Sequence, residues 1–133
     1  MSIEATKEMC YYAFETLENK VTGSNKNEFS SKIPKDDKRR CPLFVTWKKN
    51  GMLRGCIGNF SDLDLWEGLR DYALIAGTED PRFPPIDSSE LSQLDCGISL
   101  LHSFEYASDC FDWEVGKHGI RLFIGPYRST YLP

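Results

Sequence analysis

Residues 43–58 read Leu-Phe-Val-Thr-Trp-Lys-Lys-Asn-Gly-Met-Leu-Arg-Gly-Cys-Ile-Gly. Two runs of strand-forming residues, 43–49 and 52–58, lie on either side of Asn50-Gly51. Asn-Gly between two such runs is the strongest short-range signal for a β-hairpin with a two-residue type I′ turn. The stretch therefore predicts an antiparallel hairpin, which begins the sheet around which the remaining chain is arranged.

The length of the turn also predicts which residues of the hairpin face each other. In a regular register Trp47 faces Arg54, and Val45 faces Cys56. Because side chains alternate between the two sides of a strand, these four side chains are expected on one face. The opposite face, which is expected to form the core, carries Phe44, Leu53 and Ile57.

This register predicts a chemical site on the hairpin. Arg54 is expected to lie on the Trp47 ring in a cation–π contact worth about 0.5–2 kcal/mol. Its charge would lie about 7 Å from the Cys56 sulfur, two residues along the same strand. A nearby cation favours the thiolate form of a cysteine. Gly55 and Gly58 leave space for the close approach of another backbone or of a ligand.

The rest of the chain alternates helical and strand-like patterns. Apolar residues at helical spacing predict one helix over residues 3–17 and another from a Ser61 or Asp62 cap to about residue 76. Gly68, in the middle of the second helix, indicates close packing against a neighbour. Residues 24–40 are polar and are expected to form a long surface loop. Residues 87–94 predict a short helical turn, and further strands are expected at 96–101, 120–124 and 127–132.

These elements predict an α/β (α+β) fold with a central, largely antiparallel sheet of about five strands flanked by helices. A chain of 133 residues is large enough for one domain with its own core. The net charge of −4 argues against binding nucleic acid through its phosphates. No apolar run is long enough to span a bilayer and no signal-peptide pattern is present, so an intracellular protein without a membrane partner is expected.

A second arginine, Arg82, lies in the proline-rich stretch Asp-Pro-Arg-Phe-Pro-Pro at residues 80–85. Three prolines restrict this backbone, so Arg82 is expected to be held in a fixed position. Two interpretations stay open for Arg54 and Arg82. Either both bind the carboxylate or phosphate of a ligand, or each forms a structural ion pair. The candidate partners for such ion pairs are Asp62, Glu79 and Asp80.

Of the five cysteines, Cys56 is the one whose neighbours favour chemistry. One interpretation makes it a nucleophile that Arg54 activates, with His118 as the base. The other makes Cys56 a small residue in a close-packed ribbon and His118 a turn residue bonded to the backbone. The absence of close cysteine pairs, with only two histidines, predicts no metal site and no cofactor. No function is assigned to Cys10, Cys41, Cys96 or Cys110.

Six segments resemble the AMME-syndrome candidate protein family, an α/β family found from archaea to animals. They are residues 42–48, 53–60, 68–72, 80–85, 112–121 and 130–133. The resemblance covers nearly all of the chain from residue 41, in order. It implies a two-part α/β structure with a groove at the Arg-Gly-Cys motif. It also implies that the domain normally continues into a helical segment, so that residues 1–133 are expected to be a single, C-terminally truncated domain.

The resemblance names no reaction. Prokaryotic relatives are associated with dioxygenase-like and radical-enzyme partners, and animal members are regarded as intracellular and often nuclear. Two functions are therefore kept open for a protein of the cytoplasm or nucleus. In the first, a groove binds a small anionic ligand, with or without thiol chemistry at Cys56; its binding residues are Arg54, Gly55, Gly58 and Arg82. In the second, the domain is a non-catalytic scaffold or regulatory module that binds a protein partner.

Overall fold

The structure, a computed structural model, describes residues 3–24, 33–34 and 36–133. The chain divides into two compact units, Met1–His102 and Ser103–Pro133. The first unit contains helix α1 (Lys7–Thr22), strands β1 (Arg40–Lys49) and β2 (Met52–Asp64), helix α2 (Leu65–Thr78), a 3₁₀ helix (Ser88–Gln93) and strand β3 (Leu94–Leu100). The second unit contains strands β4 (Ile120–Ile124) and β5 (Tyr127–Tyr131).

The predicted mixture of helices with antiparallel strands is confirmed, but the single sheet of about five strands is wrong. Strands β2, β1 and β3 form a three-stranded antiparallel sheet in that order, so β1 is its central strand. Strands β4 and β5 pair with each other in a second, two-stranded sheet. Local patterns predicted all five strands, but a pattern along one strand carries no information about its partner.

The β1–β2 hairpin and its turn are confirmed. Asn50 and Gly51 have φ angles of 50° and 80°. Positive φ at both central residues is the defining feature of a type I′ turn, and its twist matches that of the flanking strands. The turn therefore forms for the reason that the Asn-Gly pair suggested.

The predicted register of the hairpin fails a few residues beyond the turn. Lys48 pairs with Leu53, as expected, but Trp47 pairs with Gly55 instead of Arg54. Arg54 is the extra residue of a β-bulge, at which two residues of one strand oppose one of the other. A shift of one residue exchanges the faces of all the side chains that follow it.

The bulge makes the predicted face assignment wrong. Cys56 pairs with Thr46 and not with Val45, and so lies on the face opposite Trp47. The buried face of β1 carries Leu43, Val45 and Trp47, each with an exposed fraction of 0%. Of the three residues expected in the core, only Ile57 packs against it, whereas Leu53 is 43% exposed and Phe44 is half-buried on the other face.

Helices α1 and α2 supply the other half of the core. The Trp47 indole donates a hydrogen bond to the Ala73 carbonyl of α2 at 3.0 Å, and Phe14 of α1 lies edge-on to the Trp47 ring. The buried cluster continues along both helices through Met9, Leu17 and Leu69. Helices α1 and α2 thus cover one face of the three-stranded sheet.

Both helices begin later than predicted. Helix α1 begins at Lys7, where the Thr6 side chain accepts a hydrogen bond from the Met9 amide, and it ends at Gly23 with φ 68°. Strand β2 continues through Ser61 and Asp62, so α2 begins only at Leu65, with Asp64 as its cap. Strand pairing with β1 extends past the polar residues that were expected to start the helix.

The glycine in α2 behaves as predicted. A Cβ atom at Gly68 would lie 2.9 Å from Leu43 Cδ2 and 3.2 Å from Leu63 Cβ. The absence of a side chain therefore lets the helix pack tightly on the hairpin. The short helical turn predicted after residue 87 is also confirmed: it is a 3₁₀ helix with a reciprocal capping box between Asp87 and Glu90.

The predicted polar loop over residues 24–40 lies partly outside the described residues, since 25–32 and 35 are not described. Strand β1 begins at its last residue, Arg40. Within the part of the chain that the structure describes, no helix is long and apolar enough to cross a membrane.

Candidate functional site

The backbone of Cys56 is held from outside the sheet by the loop after α2. Strand β2 is an outer strand, so the backbone groups of Cys56 that do not bond to β1 need other partners. The Cys56 amide donates to Asp80 Oδ2 at 3.0 Å, and the Cys56 carbonyl accepts from Arg82 Nη2 at 3.2 Å. The two side chains thus bond one residue of β2 as a neighbouring strand would.

Asp80 and Arg82 are also bonded directly to each other. Arg82 donates from Nε to Asp80 Oδ1 at 3.0 Å and from Nη2 to Oδ2 at 2.8 Å, a bidentate arrangement. These hydrogen bonds lower the pKa of the Asp80 carboxyl from 3.8 to about 2, against the opposing effect of its burial. The same contact raises the pKa of Arg82. Asp80 is only 4% exposed, whereas the Arg82 side chain is 55% exposed.

The Cys56 thiol lies on the non-core face of the sheet. Its sulfur is 3.2 Å from the Thr46 hydroxyl on β1, and either atom is able to donate the hydrogen bond. Phe44 and Phe60 lie edge-to-face on the same side of the hairpin, with ring centroids 5.2 Å apart. Cys56 is half-buried. Its thiol contacts a hydroxyl and lies on the same face as an aromatic pair.

Arg54 does not contact Trp47 as predicted, because the bulge directs it elsewhere. It donates to both carboxylate oxygens of Glu90, at 2.9 and 3.1 Å, and to the Pro84 carbonyl at 2.7 Å. Lys49 also donates to Glu90, at 3.0 Å. These hydrogen bonds lower the pKa of Glu90 from 4.5 to about 2, and those from Arg54 have the largest effect. Arg54 therefore forms a structural ion pair, although not with one of the three predicted acids.

The space beside Gly55 and Gly58 is occupied by the protein itself. A Cβ atom at Gly55 would lie 2.0 Å from the Ala76 carbonyl oxygen, at the end of α2. A Cβ atom at Gly58 would lie 2.1 Å from the Leu43 carbonyl oxygen and 2.4 Å from Phe44 Cγ. Both glycines are required by packing within the first unit, and their role in ligand binding stays a prediction.

The predicted base, His118, belongs to the second unit. Its Nδ1 accepts a hydrogen bond from the Glu114 amide at 3.0 Å, within the turn before β4. This is the contact that the structural interpretation of His118 expects, and its pairing with Cys56 stays a prediction. In the described residues, no group of three or more His, Cys, Asp and Glu side chains is arranged to hold a metal ion.

A model of the AMMECR1 family matches residues 10–133. The chain belongs to the AMMECR1 family. An uncharacterised protein of Arabidopsis thaliana is 44% identical over 98% of the chain and 64% of its own length. An uncharacterised protein of Saccharomyces cerevisiae is 34% identical over all of the chain and 68% of its own length. The chain thus spans about two thirds of the length of these AMMECR1-type relatives.

A solved crystal structure has the same fold. The uncharacterised protein PH0010 of Pyrococcus horikoshii superimposes with a TM-score of 0.76, over 93% of this chain and 66% of its own. The two sequences are 24% identical, so the likeness establishes the fold and nothing about activity.

Three residues that lie at the candidate site were not proposed as site residues from the sequence. Asp80 was considered only as an ion-pair partner, and neither Thr46 nor Glu90 was considered at the site. The spacing Asp80-x-Arg82, which suits a bidentate pair in a stiff loop, was an available signal for the first. The regular register places Thr46 on the face opposite Cys56. Only the bulge at Arg54 brings the two side chains to the same face. Glu90 reaches Arg54 across the fold, which no local pattern indicates.

Proposed function

We propose that this AMMECR1 domain binds a small anionic ligand beside Cys56, with Arg82 as the group that contacts it. The observation that carries the proposal is the different engagement of the two arginines. Arg54 is 11% exposed and bonded to Glu90 and Pro84, which leaves it a structural role. One edge of the Arg82 guanidinium donates hydrogen bonds to Asp80 and to the Cys56 carbonyl, yet more than half of the Arg82 side chain is exposed.

The contacts of Arg82 leave it able to bind an external anion. Its Nε and Nη2 groups are occupied, whereas its Nη1 group makes no hydrogen bond within the described residues. Its fixed position means that little side-chain freedom is lost on binding, which favours a guanidinium as an anion contact. The ionised Asp80 balances its charge, so the affinity arises from directed hydrogen bonds and is expected to be modest.

Inorganic phosphate is a suitable probe for this proposal. Titration followed by amide and guanidinium NMR signals should give saturable shifts at Cys56 and Arg82. Arg82→Gln should abolish them, because it removes the guanidinium. Arg70→Gln is the matched control, since Arg70 is an exposed arginine paired with Asp71 on α2. Shifts of equal size in both variants, or none in the native protein, would contradict the proposal.

Thiol chemistry at Cys56 is a separate part of the proposal. In this part His118 serves as the base that takes the Cys56 proton, and the thiolate adds across an electrophilic double bond of the ligand. The double bond becomes a single bond, and the proton returns from His118 to the adduct, so no leaving group is needed. Labelling of all thiols with iodoacetamide at graded pH should show Cys56 reacting faster than the exposed Cys110. If Cys56 reacts no faster than Cys110, the chemistry is rejected and only ligand binding remains.

A non-catalytic interaction module is the second candidate function. The second unit favours it, because large apolar side chains there are strongly exposed, including Phe111 at 87% and Val115 at 82%. If Cys56 reacts no faster than Cys110 and Cys56→Ser binds phosphate normally, this candidate is favoured over the enzyme. For either function we propose a location in the cytoplasm or nucleus, which microscopy of the tagged protein would test.

A further inference from the structure

The fold brings together two thiols to which the sequence analysis gave no role. Cys10 lies on α1 and Cys96 on β3, and both side chains line one cleft between these two elements. Both are free and half-buried, so neither is sealed inside the core. They are far apart in the sequence and in no recognisable motif, which is why only the fold reveals the pair.

The two thiols share one cleft, separate from the Cys56 site. The cleft has a volume of about 590 Å³ between α1 and the start of β3. Aromatic and aliphatic side chains line most of it: Tyr11, Phe14 and Leu94. Two acidic side chains, Glu15 and Asp95, also line it. A small uncharged molecule is therefore better suited to this cleft than an anion is.

The surroundings shift the pKa values of the two thiols in opposite directions. The hydrogen bond from Cys96 lowers the pKa of Cys10, and a hydrogen bond from the Ile98 backbone adds to this effect against burial. The pKa of Cys96 is raised by the same contact and by its own burial. Strand β3 is an outer strand, so some of its amides face away from β1 and are available for such a contact. One sulfur is favoured as a thiolate, and its neighbour stays a thiol.

We propose that Cys10 and Cys96 form a peroxide-reactive dithiol site, with Cys10 as the attacking and Cys96 as the resolving thiol. The Cys10 thiolate attacks one oxygen of hydrogen peroxide, an uncharged oxidant, and breaks the O–O bond. This gives a sulfenic acid at Cys10, and the leaving hydroxide takes up a proton to become water. The Cys96 sulfur then attacks the Cys10 sulfur and forms a disulfide. The sulfenic hydroxyl leaves with the Cys96 proton as a second water.

The balance of the reaction is complete with hydrogen peroxide as the oxidant. Two thiols and one peroxide give one disulfide and two waters, so the two cysteines lose two electrons together. The shared cleft favours the second step, because the resolving thiol belongs to the same small set of lining residues as the attacking one. The carboxylates of Glu15 and Asp95 oppose the entry of a larger anionic oxidant such as oxidised glutathione.

The experiment treats the fully reduced protein with an equimolar amount of hydrogen peroxide. Remaining thiols are then alkylated, and the protein is digested and mapped by mass spectrometry. We expect the loss of two alkylatable thiols and a cross-linked peptide that joins Cys10 to Cys96 within a monomeric chain. Oxidised glutathione at the same concentration should give much less of this peptide. Oxidation of Cys56 or Cys110 while Cys10 and Cys96 remain alkylatable would overturn the proposal.

Three variants separate the two steps. In Cys96→Ser the hydroxyl still donates to Cys10, but the reaction should stop at a sulfenic acid that dimedone traps. In Cys10→Ser, Cys96 should remain alkylatable after peroxide treatment. Cys110→Ser, which changes an exposed thiol, should form the disulfide as the native chain does. Trapping of Cys96 instead of Cys10 would reverse the assigned roles and so overturn the proposal. The peptide mapping of the peroxide-treated native chain tests the proposal even if one of these variants fails to fold.

Discussion

Gly55 shows how one residue couples the hairpin to the helix behind it. Nothing larger than a hydrogen fits there, because the Ala76 carbonyl lies where a side chain would begin. Two glycines in one strand indicate the close approach of either another backbone or a ligand. A neighbouring backbone is the one visible at Gly55. Choosing between a backbone and a ligand required the position of α2, which strand patterns do not contain.

Replacement of Gly55 by alanine is expected to destabilise the protein by about 3 kcal/mol, as in a strongly overpacked core. The added Cβ would lie 2.0 Å from a backbone oxygen, so either β2 or the end of α2 must move. The free energy of unfolding from urea titration measures the loss. Gly97→Ala is the control, since the nearest atom there, Thr46 Cβ, is 3.8 Å away. Equal stabilities for the two variants would contradict this account of Gly55.

At the scale of elements, the bulge at Arg54 explains most of what the sequence analysis missed. The Asn50-Gly51 turn was sufficient to predict the hairpin, because its chemistry is local. The faces could not be assigned, since one extra residue reverses them and the energy that stabilises the bulge comes from elsewhere. Glu90 and the Pro84 carbonyl hold Arg54 and both lie beyond α2. The glycine after Arg54 was an available sign, because glycine within a strand often marks a bulge.

Arg54→Met should therefore destabilise the fold far more than the loss of an ordinary surface arginine does. It leaves the buried Glu90 carboxylate with Lys49 as its remaining cationic partner. Breaking a buried ion pair from one side costs about 3 kcal/mol or more. Arg70→Met, which breaks an exposed pair with Asp71, should cost well under 1 kcal/mol. Urea unfolding at pH 7 compares the two, and a small loss for Arg54→Met would rule out this role of the bulge.

At the scale of the whole molecule, the sequence predicted the components better than their assembly. The fold class, the hairpin, the short 3₁₀ helix and both later strands followed from local periodicity. The division into a three-stranded and a two-stranded sheet did not, because strand pairing is decided by contacts between distant segments. The same reason hid the Cys10–Cys96 contact and the ion pair between Arg54 and Glu90. The role of the candidate site residues stays a prediction.

Acid should destabilise the folded chain through carboxylates whose pKa values are lowered in the folded state, Asp80 and Glu90 among them. The pKa values of Asp80 and Glu90 are about 2 in the folded state, below their ordinary values of 3.8 and 4.5. Their contribution is therefore complete above about pH 5 and is lost as the pH falls towards 2. Each contributes roughly 2–4 kcal/mol at most, since one unit of pKa corresponds to about 1.4 kcal/mol.

Unfolding midpoints in urea measured from pH 7 to pH 2 check this expectation. The native chain should lose stability steadily below about pH 4.5. Glu90→Gln should be less stable at pH 7 and lose less stability as the pH falls, because one carboxylate with a lowered pKa is gone. Asp71→Asn, at an exposed carboxylate, should keep the native profile. A native profile that is flat down to pH 3 would exclude the linkage.

The pairing of Asp80 and Arg82 with the Cys56 backbone has a consequence for solubility. An outer strand with free amides and carbonyls is a template on which another chain can add a strand, which leads to aggregation. At Cys56 both groups are already occupied, and by a charged pair that a foreign strand would have to displace. The loop after α2 therefore acts as a stop against strand addition at this point. Natural variation that weakens it would be expected to produce insoluble protein before it produces an unfolded one.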